Sequence, residues 1–95
     1  MMDKVYVAMY CFGCDDPIAT NDVVVGVYAS LNGAIDGLRN FHVPNSYVAG
    51  RDKALDALAA NGPGYYGFDR KGNLYKGTLA YGTDGVYVLV KDLLP

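Results

Sequence analysis

Residues 3–12, Asp-Lys-Val-Tyr-Val-Ala-Met-Tyr-Cys-Phe, alternate two apolar sets with a period of two. Val5, Val7, Met9 and Cys11 fall on one side of an extended chain. Tyr6, Ala8, Tyr10 and Phe12 fall on the other. The strand is apolar on both faces, so the rest of the chain must supply cover for at least one of them.

Working outward, Gly13 to Asn21 carries two Asp and Pro17 and reads as a loop. A second strand spans Asp22 to Ala29, with Val23, Val25 and Val27 against Val24, Gly26 and Tyr28. Ser30 is placed as a helix N-cap. Leu31, Ala34, Ile35, Leu38 and Phe41 then form one apolar stripe at helical spacing, weakened by Gly33 and Gly37 and stopped by Pro44. A second helix, starting at Ser46 or Asp52, runs to about Ala60 and ends at Asn61-Gly62-Pro63. The last third reads as a meander: Tyr65 to Asp69, a turn at 70–73, Leu74 to Tyr81, a tight hairpin at Gly82-Thr83-Asp84-Gly85, and Val86 to Lys91. These elements predict one compact α+β domain, residues 1–95, with a five-stranded, mostly antiparallel sheet. The element order is ββααβββ, and two short helices lie on one face.

Ninety-five residues, 52% hydrophobic and 19% charged, exclude intrinsic disorder and leave room for one core. No apolar run approaches the roughly 18 residues of a membrane span, and Asp3 and Lys4 interrupt any secretory signal. A net charge of −2 is too small for a nucleic-acid-binding surface. All ten acids are Asp, which favours caps and turns over helix interiors. Two cysteines without a secretory signal suggest free thiols in a reducing cytoplasm.

Few residues carry a chemical signal. Cys11-Phe12-Gly13-Cys14 is a CxxC, but a redox thiolate wants a helix N-terminus after it, and here a loop and a strand follow. A zinc site would need His42 or the loop carboxylates Asp15 and Asp16 as further ligands. The plainer reading makes Cys11 a core residue and Cys14 a loop residue, with no metal or cofactor expected. Gly62-Pro63-Gly64-Tyr65-Tyr66-Gly67 matches the dinucleotide fingerprint letter by letter, but it leaves a helix and enters a strand, the reverse of what pyrophosphate binding needs. His42 is the one natural general base. No nucleophile motif accompanies it, and its place after a helix suits bonding to last-turn carbonyls or facing solvent, so no enzyme is expected. Arg51, Arg70 and Lys71, with Tyr65 and Tyr66, could hold a phosphate and stack a base. Charged hairpin turns are equally what any globular domain shows.

The sheet faces carry the main expectation. If the helices cover the valines of the first, second and last strands, the opposite face exposes Tyr6, Tyr10, Phe12, Tyr28 and Tyr87, with Val24 and Leu89. A patch of that size calls for a partner, most commonly a second copy of the chain. The alternative is a curled sheet in which Leu93-Leu94-Pro95 folds over the tyrosines. On the first reading, replacing Tyr6 and Tyr28 by Asp breaks assembly without unfolding the monomer.

Val25 to Ile35, Val-Gly-Val-Tyr-Ala-Ser-Leu-Asn-Gly-Ala-Ile, resembles a pattern in small accessory proteins of phages and prophages. In these a strand ends in Gly-Val-aromatic, then Ser, then a helix with an early Ala, and a Val-Tyr-Val strand opens the chain. The resemblance covers about the first forty residues and transfers no catalytic residue. It implies a non-enzymatic binding protein of the host cytoplasm that inhibits a host anti-phage defence component. The second expectation is an oligomeric sponge for a cyclic or phosphorylated nucleotide, and the third a metal or thiol protein built on the CxxC. The partners expected are thus a second copy (dimer or larger), a host protein, or a nucleotide.

Overall fold

The computed structural model describes residues 4–14, 22–78 and 83–93. The alternating stretch forms β1 (Lys4–Cys14), and the valine-rich one β2 (Asp22–Tyr28). Helices α1 (Leu31–Arg39) and α2 (Asn45–Asn61) follow, then β3 (Tyr65–Phe68), β4 (Leu74–Lys76) and β5 (Thr83–Asp92). The order ββααβββ and an antiparallel five-stranded sheet make this the α+β fold the sequence implies. No helix among the described residues is long and apolar enough to cross a membrane.

The helix signals act as their chemistry dictates. Ser30 Oγ accepts the Gly33 N–H at 3.0 Å, which starts α1. α2 begins at Asn45, directly after Pro44 and ahead of the expected Ser46 or Asp52. It closes at Gly62, whose φ of +94° suits glycine and whose N–H reaches Leu58 O at 2.8 Å.

The last third is not a meander. The sheet order is β2-β1-β5-β3-β4, so β5 lies between β1 and β3 and does not touch β4. β1 has 11 residues and β5 has 10, and pairing these two closes far more backbone hydrogen bonds than the 3-residue β4 could offer. The expected Asp-Gly hairpin is consequently absorbed into β5. Asp84 pairs with Phe68, and Gly85 sits between Cys11 and Gly67. Gly82, and residues 79–81 of the expected fourth strand, lie outside the described residues.

Both helices pack on one face of the sheet, and that face is not the one the valine pattern suggests. Across β1 and β5, Tyr6 opposes Val90, Ala8 opposes Val88 and Tyr10 opposes Val86. Across β1 and β2, Tyr6 opposes Tyr28 and Ala8 opposes Gly26. Directly opposed residues share a face, so the tyrosines of β1 go with the even-numbered valines of β5. The core joins Ala8, Tyr10, Tyr66, Phe68, Val86 and Val88 of the sheet to Ala34, Ile35 and Leu38 of α1 and Ala54, Leu55 and Leu58 of α2.

Volume explains the choice. Beside Ile35, Leu38, Leu55 and Leu58, α1 and α2 bring small residues to the sheet: Gly33, Ala34, Gly37, Gly50 and Ala54. A Cβ at Gly37 or Gly50 would stand within 3 Å of Tyr28 or Phe68, so these positions leave room for rings. Tyr6, Tyr10, Tyr28, Tyr66 and Phe68 fill it from below, each tyrosine offering roughly 150–250 Å² of surface to bury. At Gly26 a Cβ would stand 2.6 Å from the Tyr28 hydroxyl, and a Cβ at Gly37 would strike the same hydroxyl. The two glycines make room for one ring. β2 keeps its pairing by a bulge: Ala8 opposes Gly26 and Met9 opposes Val24, leaving Val25 as the extra residue, packed against the core.

Candidate functional site

The face away from the helices has its own side-chain rows. Val27, Val7 and Leu89 form one row across β2, β1 and β5. Val24, Met9, Tyr87 and Tyr65 form the next, across β2, β1, β5 and β3. Val24 and Val27 are each 60% exposed and Tyr65 is 46% exposed. Tyr87 is buried because the Tyr65 ring lies over it at 4.9 Å between centroids and its hydroxyl donates to the Asp22 carboxylate. Burial, then this bond to Asp22, holds the Tyr87 phenol well above its ordinary range. Charge appears at two opposite ends of the face: Lys91 across from Val5, and Asp22 across from Cys11. The six residue steps from Val5 to Cys11 put these ends about 20 Å apart along the strand.

Of the five residues expected on this face, Tyr87 alone is there. Tyr10 is fully buried beneath the helices, and Tyr6 and Tyr28 pack against the same core. Phe12 stacks on Tyr10 at 4.6 Å and on Phe41 at 5.9 Å, also on the helix side. Val24 and Leu89 are on this face as expected, and Val7, Met9 and Val27, expected under the helices, join them there. Leu93, at the end of the chain, is exposed, and Leu94 and Pro95 lie outside the described residues.

The second expected group separates. Arg51 is 7% exposed and spent on the fold: Nη1 donates to Phe41 O at 2.8 Å, while Nε and Nη2 reach Asp52 Oδ1 at 3.2 and 3.1 Å. It ties α2 to the chain that leaves α1. Tyr66 is buried and donates to Gly62 O at 2.8 Å. Tyr65 belongs to the open face. Arg70 and Lys71 remain together, in the β3–β4 hairpin, and line a groove of about 570 Å³ with Tyr47, Asp69, Asn73 and Tyr75.

That groove is built by one aspartate. Asp69 Oδ1 accepts the backbone N–H groups of Lys71 and Asn73, both at 2.9 Å. Its Oδ2 accepts Asn73 Nδ2 at 2.9 Å and the Tyr75 hydroxyl at 3.1 Å. These donors, those of Asn73 first, hold its carboxyl below the ordinary range. Lys53 Nζ fixes the turn to α2 through Gly72 O at 2.8 Å. Arg70 lies over the Tyr47 ring, 5.9 Å from its centroid, with Nε 3.4 Å from the Tyr47 hydroxyl. The sequence pattern pointed to the hairpin cations. Tyr47 was not legible as their neighbour, because the start of α2 was not fixed.

The remaining motifs gather nothing. Cys11 is buried, opposite Gly85 and Asp22. The side chain of Cys14, with Asp15 and Asp16, lies outside the described residues. Among the described residues no three His, Cys or Asp side chains stand close enough to hold a metal ion. His42 is exposed between α1 and α2. Gly62 to Gly67 runs from a helix cap into β3, as its order in the sequence implies. No protein-family model, curated protein or solved structure matches the chain.

Proposed function

We propose that the protein works by binding, through the uncovered face of its sheet, and that a second copy of the chain covers that face. The observation that carries this is the pair of apolar rows, Val27-Val7-Leu89 and Val24-Met9-Tyr87-Tyr65, with no helix over them among the described residues. Exposed apolar patches of this kind are where proteins associate. The charge pattern favours a copy of itself. The rows are uncharged, Lys91 stands at one end and Asp22 at the other. A two-fold axis that brings Lys91 of one copy to Asp22 of the other repeats the same contact in reverse, the property an isologous interface requires. In the setting the resemblance implies, the assembled protein is a phage-encoded, non-enzymatic inhibitor of a host defence component, acting in the host cytoplasm.

Native mass spectrometry and sedimentation of the wild type and Val27→Asp test the interface. Val27 is largely exposed, so the substitution leaves the fold intact, as circular dichroism checks. The expected result is a wild-type dimer and a folded Val27→Asp monomer. A wild-type monomer at about 100 μM, or a variant as dimeric as the wild type, overturns the proposal.

A further inference from the structure

The groove between α2 and the β3–β4 hairpin lies apart from the open-face rows and does not rest on the reading above. Its volume of about 570 Å³ falls within the roughly 300–1,000 Å³ of small-ligand sites. Its chemistry is uneven in a useful way. The one acid in it, Asp69, has both oxygens engaged by four donors of its own hairpin. It makes no ion pair with Arg70 or Lys71 among the described residues. Arg70 is positioned by Tyr47 through Nε and the ring face, and its two terminal nitrogens make no hydrogen bond among the described residues, the Asp84 carboxylate acting on it only at longer range. The Lys71 ammonium likewise has no carboxylate partner among them. A planar fork beside an ammonium is the donor set that phosphate oxygens fit. Tyr75 adds an aromatic wall whose hydroxyl is already anchored on Asp69, so the ring is held in place before any ligand arrives.

We propose that this groove binds a mononucleotide, with the phosphate taken by the Arg70 fork and Lys71 and the base laid against the Tyr75 ring. The hairpin is preorganised for it. The Asp69 turn fixes the backbone of Lys71 and Asn73, Gly72 takes a φ of +83°, and Lys53 holds the Gly72 carbonyl to α2. Stacking on one ring is tolerant of base identity, so the site selects the class of ligand more than the base.

Amide chemical-shift titrations of the whole protein test this, using AMP, GMP, CMP and UMP, with adenosine and inorganic phosphate as the two half-ligands. The expected result is saturable shifts confined to residues 47 and 69–75, weakened by added salt because the contact is ionic. AMP should bind at least about tenfold tighter than either half-ligand. Arg70→Ala and Lys71→Ala, both exposed and outside the core, should each weaken AMP by about tenfold while their spectra stay dispersed. Tyr75→Leu should bring AMP down to the affinity of inorganic phosphate. No saturable shift with any of the four nucleotides overturns the proposal. So does AMP binding no tighter than inorganic phosphate, or AMP shifts that survive loss of both cations.

Discussion

Tyr10 shows how one side chain links the core to the sheet ends. Its ring is fully buried against Phe12, Phe41 and Phe68, and its hydroxyl donates to Asp84 Oδ2 at 2.5 Å. Asp84, itself buried, also accepts the Gly13 N–H at 2.9 Å, so one carboxylate joins β5 to both the side chain and the end of β1. Burial first, then the bond to Asp84, raises the Tyr10 phenol well above its ordinary value of 10.0. A native state that holds this proton more tightly than the unfolded chain is favoured only while the unfolded phenol keeps its own. The contribution is therefore complete below about pH 10 and is lost as the pH rises beyond it. Tyr87, raised in the same direction, adds to the same alkaline loss. Tyr10→Phe should cost about 1–3 kcal/mol at neutral pH, because a buried carboxylate loses a donor. The same variant should lose stability less steeply than the wild type above pH 10. Urea melts at pH 7 and across the alkaline range check both halves, and a variant with an unchanged alkaline slope would remove Tyr10 from the account.

At the scale of elements, β1 divides what the sequence could tell from what it could not. Its existence was plain from the alternation, as were the Ser30 cap and the stop at Gly62, but it runs two residues past Phe12 to Cys14, where a loop was expected, and α1 closes at Asn40 before Pro44 is reached. The facing of β1 was not plain, because both of its sides are apolar and a shift of one residue exchanges them. The choice depends on the small residues that α1 and α2 bring to the sheet and on the bulge at Val25. Neither acts within one stretch of chain. β5 was legible in facing but not in place, since the Asp84-Gly85 pair looks like a hairpin until Phe68 and Cys11 are set beside it. Adjacent residues of β2 turn this into a sharp contrast. Val27 lies on the open face, 60% exposed, whereas Tyr28 packs into the core between Gly26 and Gly37. Tyr28→Asp buries a charge without a partner and should unfold the protein or cost at least about 3 kcal/mol, with little left to say about assembly. Val27→Asp should leave the melting temperature of the monomer within a few degrees. Equal thermal melts for the two variants would contradict the facing of the whole sheet.

At the scale of the molecule, the candidate sites were half visible. The sequence implied an uncovered sheet face and two hairpin cations, and the structure keeps both. It keeps Tyr87 but moves the other four aromatic residues assigned to the face to the helix side, and it withdraws Arg51 and Tyr66 into the fold. The face is uncharged between its ends, so charge can orient a dimer only through those ends, where Lys91 and Asp22 stand. If each copy sets its Lys91 against Asp22 of the other, Lys91→Asp replaces two attractions with two repulsions. Exposed ion pairs contribute about 0.2–1 kcal/mol each, so losing two of them shifts the dissociation constant by up to about thirtyfold, and more at low salt. Asp22→Lys should weaken the dimer further than that, because it also takes the acceptor from the Tyr87 hydroxyl. Combining the two substitutions restores opposite charges at both contacts. The double variant should therefore associate more tightly than Asp22→Lys alone, although it carries one change more. Sedimentation at two salt concentrations reads this directly. A double variant as weak as the sum of its parts would mean that the two ends do not meet, and that any dimer uses a different axis.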